Sequence, residues 1–381
     1  MTAIEKATKS LNLDEKWLNE FEVEDVFNTG MRLHGFISRK PNHLYGAMAI
    51  TEINNQSTLQ IIYGTPKINY PFDKNGVFNW PSISHLEGYI KEDGTNVVAY
   101  WYKFKGRRYL SFKTRLTPVL RDSTFGSFFH MWKEYYEDNL WVKETILGNP
   151  NYNISFEMFG SRNPITISYD ISLDVKLLFG IDRKTAAILP PSGLNLLHAN
   201  IPDRIVFKAK DFTSQYRKTQ AELSARNQEK LTVEGMVWYA QTEDYNWGMF
   251  KLKPSEIENI HWTASDTIPK NSIWTTILNA YENSDEPVIE DVLVLLEEEY
   301  DSHLITKNML RIRKLWLDGI NHMLFVRLAN HAWAKAKEQG FDITKDKNAT
   351  LRFVSQFFNK KDMRKVGSVI IKQAGLLNKE K

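Results

Sequence analysis

Two kinds of apolar pattern divide the chain. Up to about residue 260, short runs rich in aromatic and β-branched residues recur at 45–50, 58–64, 95–104, 107–114, 152–160, 165–172, 175–182, 234–240 and 247–253. Such side chains suit a pleated, half-buried surface, so each run predicts a β-strand. Helical patterns interrupt them near 121–147 and 211–230. Strands in blocks, without βαβ alternation, predict an α+β fold: a domain over 1–260 of antiparallel sheets with flanking helices.

From about residue 271 the period changes. Stretches 288–300 and 309–340 space their apolar residues as helices do. Ile312, Leu315, Ile320, Met323 and Leu328 are expected on one face. Lys335 and Lys337 fit a last turn, with Gly340 just beyond it. Residues 271–381 are expected to form an all-helical C-terminal domain.

Composition changes this picture little, but charge does. Of 381 residues, 42% are hydrophobic and 25% charged, as in a chain with a real core. The net charge of +3 hides an asymmetry. Residues 281–301 carry nine acidic and no basic side chains, whereas 302–381 carry 17 basic and 6 acidic ones. A helical domain this basic suits a polyphosphate partner; a solvated helix surface with snorkelling lysines is the plainer alternative. The absence of cysteine excludes disulfides, thiolate nucleophiles and cysteine zinc sites. The first residues carry charges and no apolar core, and no apolar run reaches a membrane span's length of roughly 18 residues. A cytoplasmic protein is expected, in a host's cytoplasm if phage-encoded. The nine histidines form no metal set.

Four polar segments stand on or beside predicted strands: Lys91-Glu92-Asp93-Gly94, Glu157, Glu234-Gly235 and Lys251-Leu252-Lys253. Singly each has a plain explanation. Asp93-Gly94 between strand-like runs reads as a hairpin turn. Glu157 reads as an edge-strand gatekeeper, Glu234-Gly235 as a strand entry, and the lysine pair as one exposed strand face.

Together they supply what nucleotidyl transfer requires. A lysine becomes nucleophilic only where its cation is disfavoured, by burial or neighbouring positive charge. Lys91 is the candidate nucleophile, and Lys251 and Lys253 can supply that charge and hold a phosphate. Glu234 and Asp93 offer the hard oxygens that magnesium prefers. Gly94 leaves room for close backbone approach to a nucleotide. Glu157, acceptor-only when ionised, suits a ribose hydroxyl.

In this order the segments resemble the motifs of the covalent nucleotidyltransferase superfamily of RNA ligases, DNA ligases and mRNA capping enzymes, over about residues 60–255. Lys91 to Gly94 match its Lys-x-Asp-Gly motif, Glu157 its third motif, Glu234-Gly235 its fourth and Lys251 to Lys253 its fifth. The resemblance implies ATP as cofactor with Mg²⁺, or Mn²⁺ in its place. It implies Phe179 against adenine, and Lys113 and Arg115 as phosphate contacts. Pro66-Lys67-Ile68-Asn69 departs from the corresponding RNA ligase stretch, and Lys67 receives no role. DNA ligases and capping enzymes follow the fifth motif with a small β-barrel; the helical tail here is similar to bacteriophage-type single-strand RNA ligases. That branch implies a monomer acting on RNA ends, with a broken tRNA as one substrate. The alternatives are a DNA ligase and a non-catalytic RNA-binding protein with a ligase-like domain.

Overall fold

The computed structural model describes residues 1–73, 76–122, 127–163, 169–196, 198–208, 211–227, 233–254, 267–283, 287–297, 300, 302–343 and 345–373. It divides into two compact units. The first is Met1–Asp122, Ser127–Ser265 and Glu297–Asp301; the second is Ser123–Gly126, Asp266–Leu296 and Ser302–Lys381.

The first unit holds three antiparallel sheets. One has the order β1 (Leu18–Glu24), β2 (Arg32–Ser38), β3 (Met48–Ile53), β4 (Gln56–Ile62). Helix α1 (Ala3–Leu11), closed by a Thr2/Glu5 capping box, packs Ala7 and Leu11 against it. The second sheet contains β6 (Thr95–Phe104), β7 (Arg107–Lys113), β8 (Tyr152–Phe159), β9 (Asp174–Asp182) and β10 (Ile188–Leu189), in the order β10-β9-β8-β6-β7. The third contains β5 (Ile83–Lys91), β11 (Arg204–Phe207), β12 (Gly235–Thr242) and β13 (Trp247–Leu252), in the order β11-β5-β12-β13.

Strand alternation gives the third sheet two apolar faces. Leu86, Met236, Trp238, Ala240 and Leu252 pack under α4 (Phe212–Arg226), whose N-terminus is capped by Asp211. On the opposite face Tyr89 and Tyr239 cluster with Val98, Phe179 and Ile181 of the second sheet. The motif-bearing positions lie at the end of that second face.

Several expectations change here. Strands at β1, β2, β5, β10 and β11 are additional to the predicted runs. Of the expected strand at 165–172, residues 165–168 lie outside the described residues and 169–172 are not strand. The expected helix near 121–147 is two helices, α2 (Phe128–Asp138) and α3 (Leu140–Gly148), meeting at Asn139. Asp93-Gly94 is not a hairpin turn: β5 pairs with β11 and β12, whereas β6 pairs with β7 and β8. The dipeptide is the corner where the chain leaves one sheet for another.

The elements described in the second unit are all helical: α5 (Lys270–Asn283), α6 (Ile289–Leu296), α7 (Ser302–Lys307), α8 (Met309–Glu338), α9 (Lys347–Val354) and α10 (Lys360–Gln373), with one short 3₁₀ turn. Gly319 of α8 lets Ile277 of α5 approach closely; a Cβ there would come within 2.7 Å of its side chain. Helix α8 ends in a Schellman motif. Gly340 sits at φ +78°, its N–H donates to Lys337, and the Phe341 N–H donates to Ala336. Ile312, Leu315 and Met323 are buried, but Ile320 and Leu328 are about 40% exposed. The five-residue steps from Leu315 to Ile320 and from Met323 to Leu328 each turn about 140° around an α-helix, off the buried face. Leu310, Leu317 and Leu324 are exposed as well. No helix among the described residues is long and apolar enough to cross a membrane.

Candidate nucleotide-transfer site

Lys91 is the last residue of β5, directly opposite Gly235 on β12. Gly235 is required by packing: a Cβ there would lie 2.2 Å from the Leu252 carbonyl oxygen of β13. Glu234, one residue before, hydrogen-bonds and ion-pairs with the Lys91 ammonium. The two residues are 143 apart in sequence, and both side chains are largely covered, 29% exposed for Lys91 and 15% for Glu234.

Two further carboxylates act on this ammonium. Burial disfavours the Lys91 cation, but Glu234, Glu157 and Asp93 outweigh burial and hold its pKa above the ordinary lysine value. The carboxylates around Lys91 thus favour its cation, opposite in sign to the neighbouring positive charge expected to disfavour it. Glu157, on β8, accepts a hydrogen bond from the Gly94 N–H at 3.1 Å. Burial pushes its pKa up to about 7; Lys91 opposes the rise, while Glu234 and Asp93 add to it.

Gly94 serves packing. A Cβ on it would lie 2.3 Å from the Met158 carbonyl oxygen, so only glycine lets the 92–94 corner seat against β8. The room expected there for a nucleotide is taken by that strand.

Lys251 lies opposite Val237, two residues along β12 from Gly235, so alternation places it on the same face of the sheet as Lys91. It is buried, with its ammonium 4.4 Å from the centre of the Tyr70 ring. The segment before Tyr70 docks onto this strand, and Asn69 accepts from the Lys251 N–H. Lys67, in that segment, donates its N–H to the Asn42 carbonyl. Lys253 follows β13, with its Cα 3.4 Å from where a Cβ of Gly235 would stand.

Three other candidates have surroundings of their own. Phe179 is buried in the core between the sheets, against Tyr239 at 6.5 Å, and is spent on packing rather than on an open cleft. Lys113 is fully buried and donates to the carbonyls of Gly46, Thr114 and Arg115 at 3.0, 2.6 and 2.9 Å. All three of its donors are used by backbone, so it is no phosphate contact. The Arg115 guanidinium lies 5.2 Å from the Tyr45 ring. A surface cavity of about 270 Å³, lined by Glu22, Arg32, His34, Glu52 and Asn55, shares no residue with the cluster.

Among the described residues no three His, Cys, Asp or Glu side chains form a metal cage. The donors do fit magnesium as nucleotide sites hold it, by one or two carboxylates with phosphate and water oxygens completing the shell. Glu234 and Asp93, gathered at Lys91, would be those carboxylates, and the ion would supply positive charge to the phosphates.

No family model matches the chain, and no curated protein does. Solved structures similar to it include an archaeal ATP-dependent RNA ligase, form 1, at 14% identity over 94% of this chain and 93% of that one, with a TM-score of 0.47. A putative ATP-dependent DNA ligase from Aquifex aeolicus is 14% identical over 97% and 98% of the two chains, with a TM-score of 0.42. A Naegleria gruberi RNA ligase variant solved with ATP and Mn is 15% identical over 52% and 64%, at 0.31. Likeness at this level identifies neither the family nor the activity.

Proposed function

We propose that the chain is an ATP-dependent RNA ligase that joins 5′-phosphate and 3′-hydroxyl RNA ends through an adenylate on Lys91. The observation that carries this reading is the Lys91–Glu234 pair, assembled from the end of β5 and the residue just before β12, beside Glu157 and Asp93, with Lys91 on one sheet face with Lys251. A lone surface lysine has no use for such surroundings.

Lys91 must lose a proton before it attacks, and the hydrogen-bonded Glu234 carboxylate is its acceptor. The amine then bonds to the α-phosphorus of ATP, the Pα–O–Pβ bond breaks and pyrophosphate departs. Lys251 and Lys253 balance charge on the α-phosphate during transfer. AMP passes from Lys91 to the RNA 5′-phosphate, the 3′-hydroxyl attacks that phosphate, and AMP leaves. The basic residues of 302–381 suit the RNA backbone. A broken tRNA is one substrate that fits this chemistry.

The test is covalent labelling with α-labelled ATP. The full chain is expected to form a lysyl-AMP adduct, and Lys91→Ala to form none. A label retained on Lys91→Ala removes the nucleophile assignment. Sealing of RNA ends against nicked DNA then separates this reading from a DNA ligase, and absence of any adduct leaves the non-catalytic RNA-binding protein.

A further inference from the structure

Glu92, between Lys91 and Asp93, is only 8% exposed. A carboxylate so placed needs a partner, and it has two. The Lys176 ammonium of β9 lies 2.6 Å from Oε1, and the Tyr169 hydroxyl donates to Oε2 at 3.2 Å. The same hydroxyl accepts from the Asp93 N–H at 2.8 Å. Phe159 backs the group, with its ring 4.8 Å from that of Tyr169 and 5.7 Å from the Lys176 ammonium. With the Glu157–Gly94 bond, each residue of the 92–94 corner is tied by a polar link to β8, β9 or the segment between them.

We infer that Lys176 and Tyr169 are positioning residues for lysine adenylation, acting through Glu92 and the Asp93 amide to hold the corner so that Lys91 and Asp93 serve one site. This rests on the adenylation reading above. The corner carries the nucleophile at one end and a candidate metal ligand in the middle, and it joins two different sheets. A small rotation there misplaces both groups, and misplacement near 1 Å is enough to slow a reaction on the order of 10²-fold. Neither Lys176 nor Tyr169 belongs to the four polar segments. Sequence spacing does not reveal them, because they stand 84 and 77 residues from Glu92.

The experiment is single-turnover adenylation of the full chain with α-labelled ATP, read as a rate at saturation and a half-saturating ATP concentration. Lys176→Met and Glu92→Gln are each expected to slow the step about 10–100-fold. Half-saturation should stay within about threefold, since the residues orient the corner rather than bind ATP. The double variant should be no slower than the slower single one, because both cut one link. Lys176→Arg, which keeps a cationic donor, should recover most of the rate, and Tyr169→Phe should lose about three- to tenfold. Thermal unfolding of each variant checks that the chain is folded. A wild-type rate in folded Lys176→Met, or multiplied losses in the double variant, overturns the inference. A wild-type chain that forms no adduct removes the adenylation reading itself, and this inference with it.

Discussion

Two lysines that end strands of the first unit meet opposite fates. Lys91 ends β5 among Glu234, Glu157 and Asp93, and its pKa is held above the ordinary value. Lys113 ends β7 with its ammonium among three carbonyls, and burial, then the nearby Arg115, pushes its pKa down to about 7. By pKa alone, Lys113 is the better nucleophile at neutral pH. By geometry it is none, being fully buried with every donor spent. Lys91 keeps access and sits in a field that arriving phosphates and cations can reverse. On the adenylation reading, reach rather than a low resting pKa singles out the reactive lysine.

The contrast can be broken at several points. The largest effect should come from Lys91→Ala, with adduct formation down on the order of 10⁴-fold or more while the fold persists. Lys113→Met tests the other side: adduct formation per folded molecule should change less than tenfold, and labelling that vanishes in a folded variant would make Lys113 the reactive amine. Lys251→Ala should slow adenylation by about 10²–10³-fold, read as the single-turnover rate.

Lys113→Met should also cost about 2–4 kcal/mol in denaturant unfolding, because three buried carbonyls lose their donor. The smallest effect concerns pH. Glu157 has its pKa raised from 4.5 to about 7, so the folded state holds that proton more tightly than the unfolded chain. Stability from this group is full below about pH 4.5 and is lost as pH rises through about 7. Glu157→Gln should flatten stability across that window, by about 3 kcal/mol. An unchanged pH profile in the variant would mean that Glu157 is not the titrating group.

Much of this was legible in the sequence, and the failures share a cause. Strands built from aromatic and β-branched residues, such as β6 and β8, announce themselves. Strand β5 does not, because His85, Glu87, Gly88 and Lys91 interrupt its apolar pattern. Glu87 is fully buried, paired with Arg204 and bonded by Ser192. The polar residues that obscure the strand are those the fold brings inside. The acid and lysine of the candidate pair are readable as types, and the fold brings the two side chains into contact. For Phe179 and Lys113, spacing along the chain does not say which face a side chain occupies, and both are buried. For Ile320 and Leu328, a five-residue step turns too far around the helix to stay on the buried face.

The Lys91–Glu234 pair also carries a consequence for biosynthesis. Its members are separated by 143 positions, and the sheet that joins them needs β12 in register beside β5. A nascent chain halted before that strand emerges holds the amine as an ordinary solvated lysine with no acid to meet it. On the adenylation reading proposed above, labelling would then report completed topology: a molecule in which β12 is missing or out of register would lack the acid beside Lys91 and take up no label.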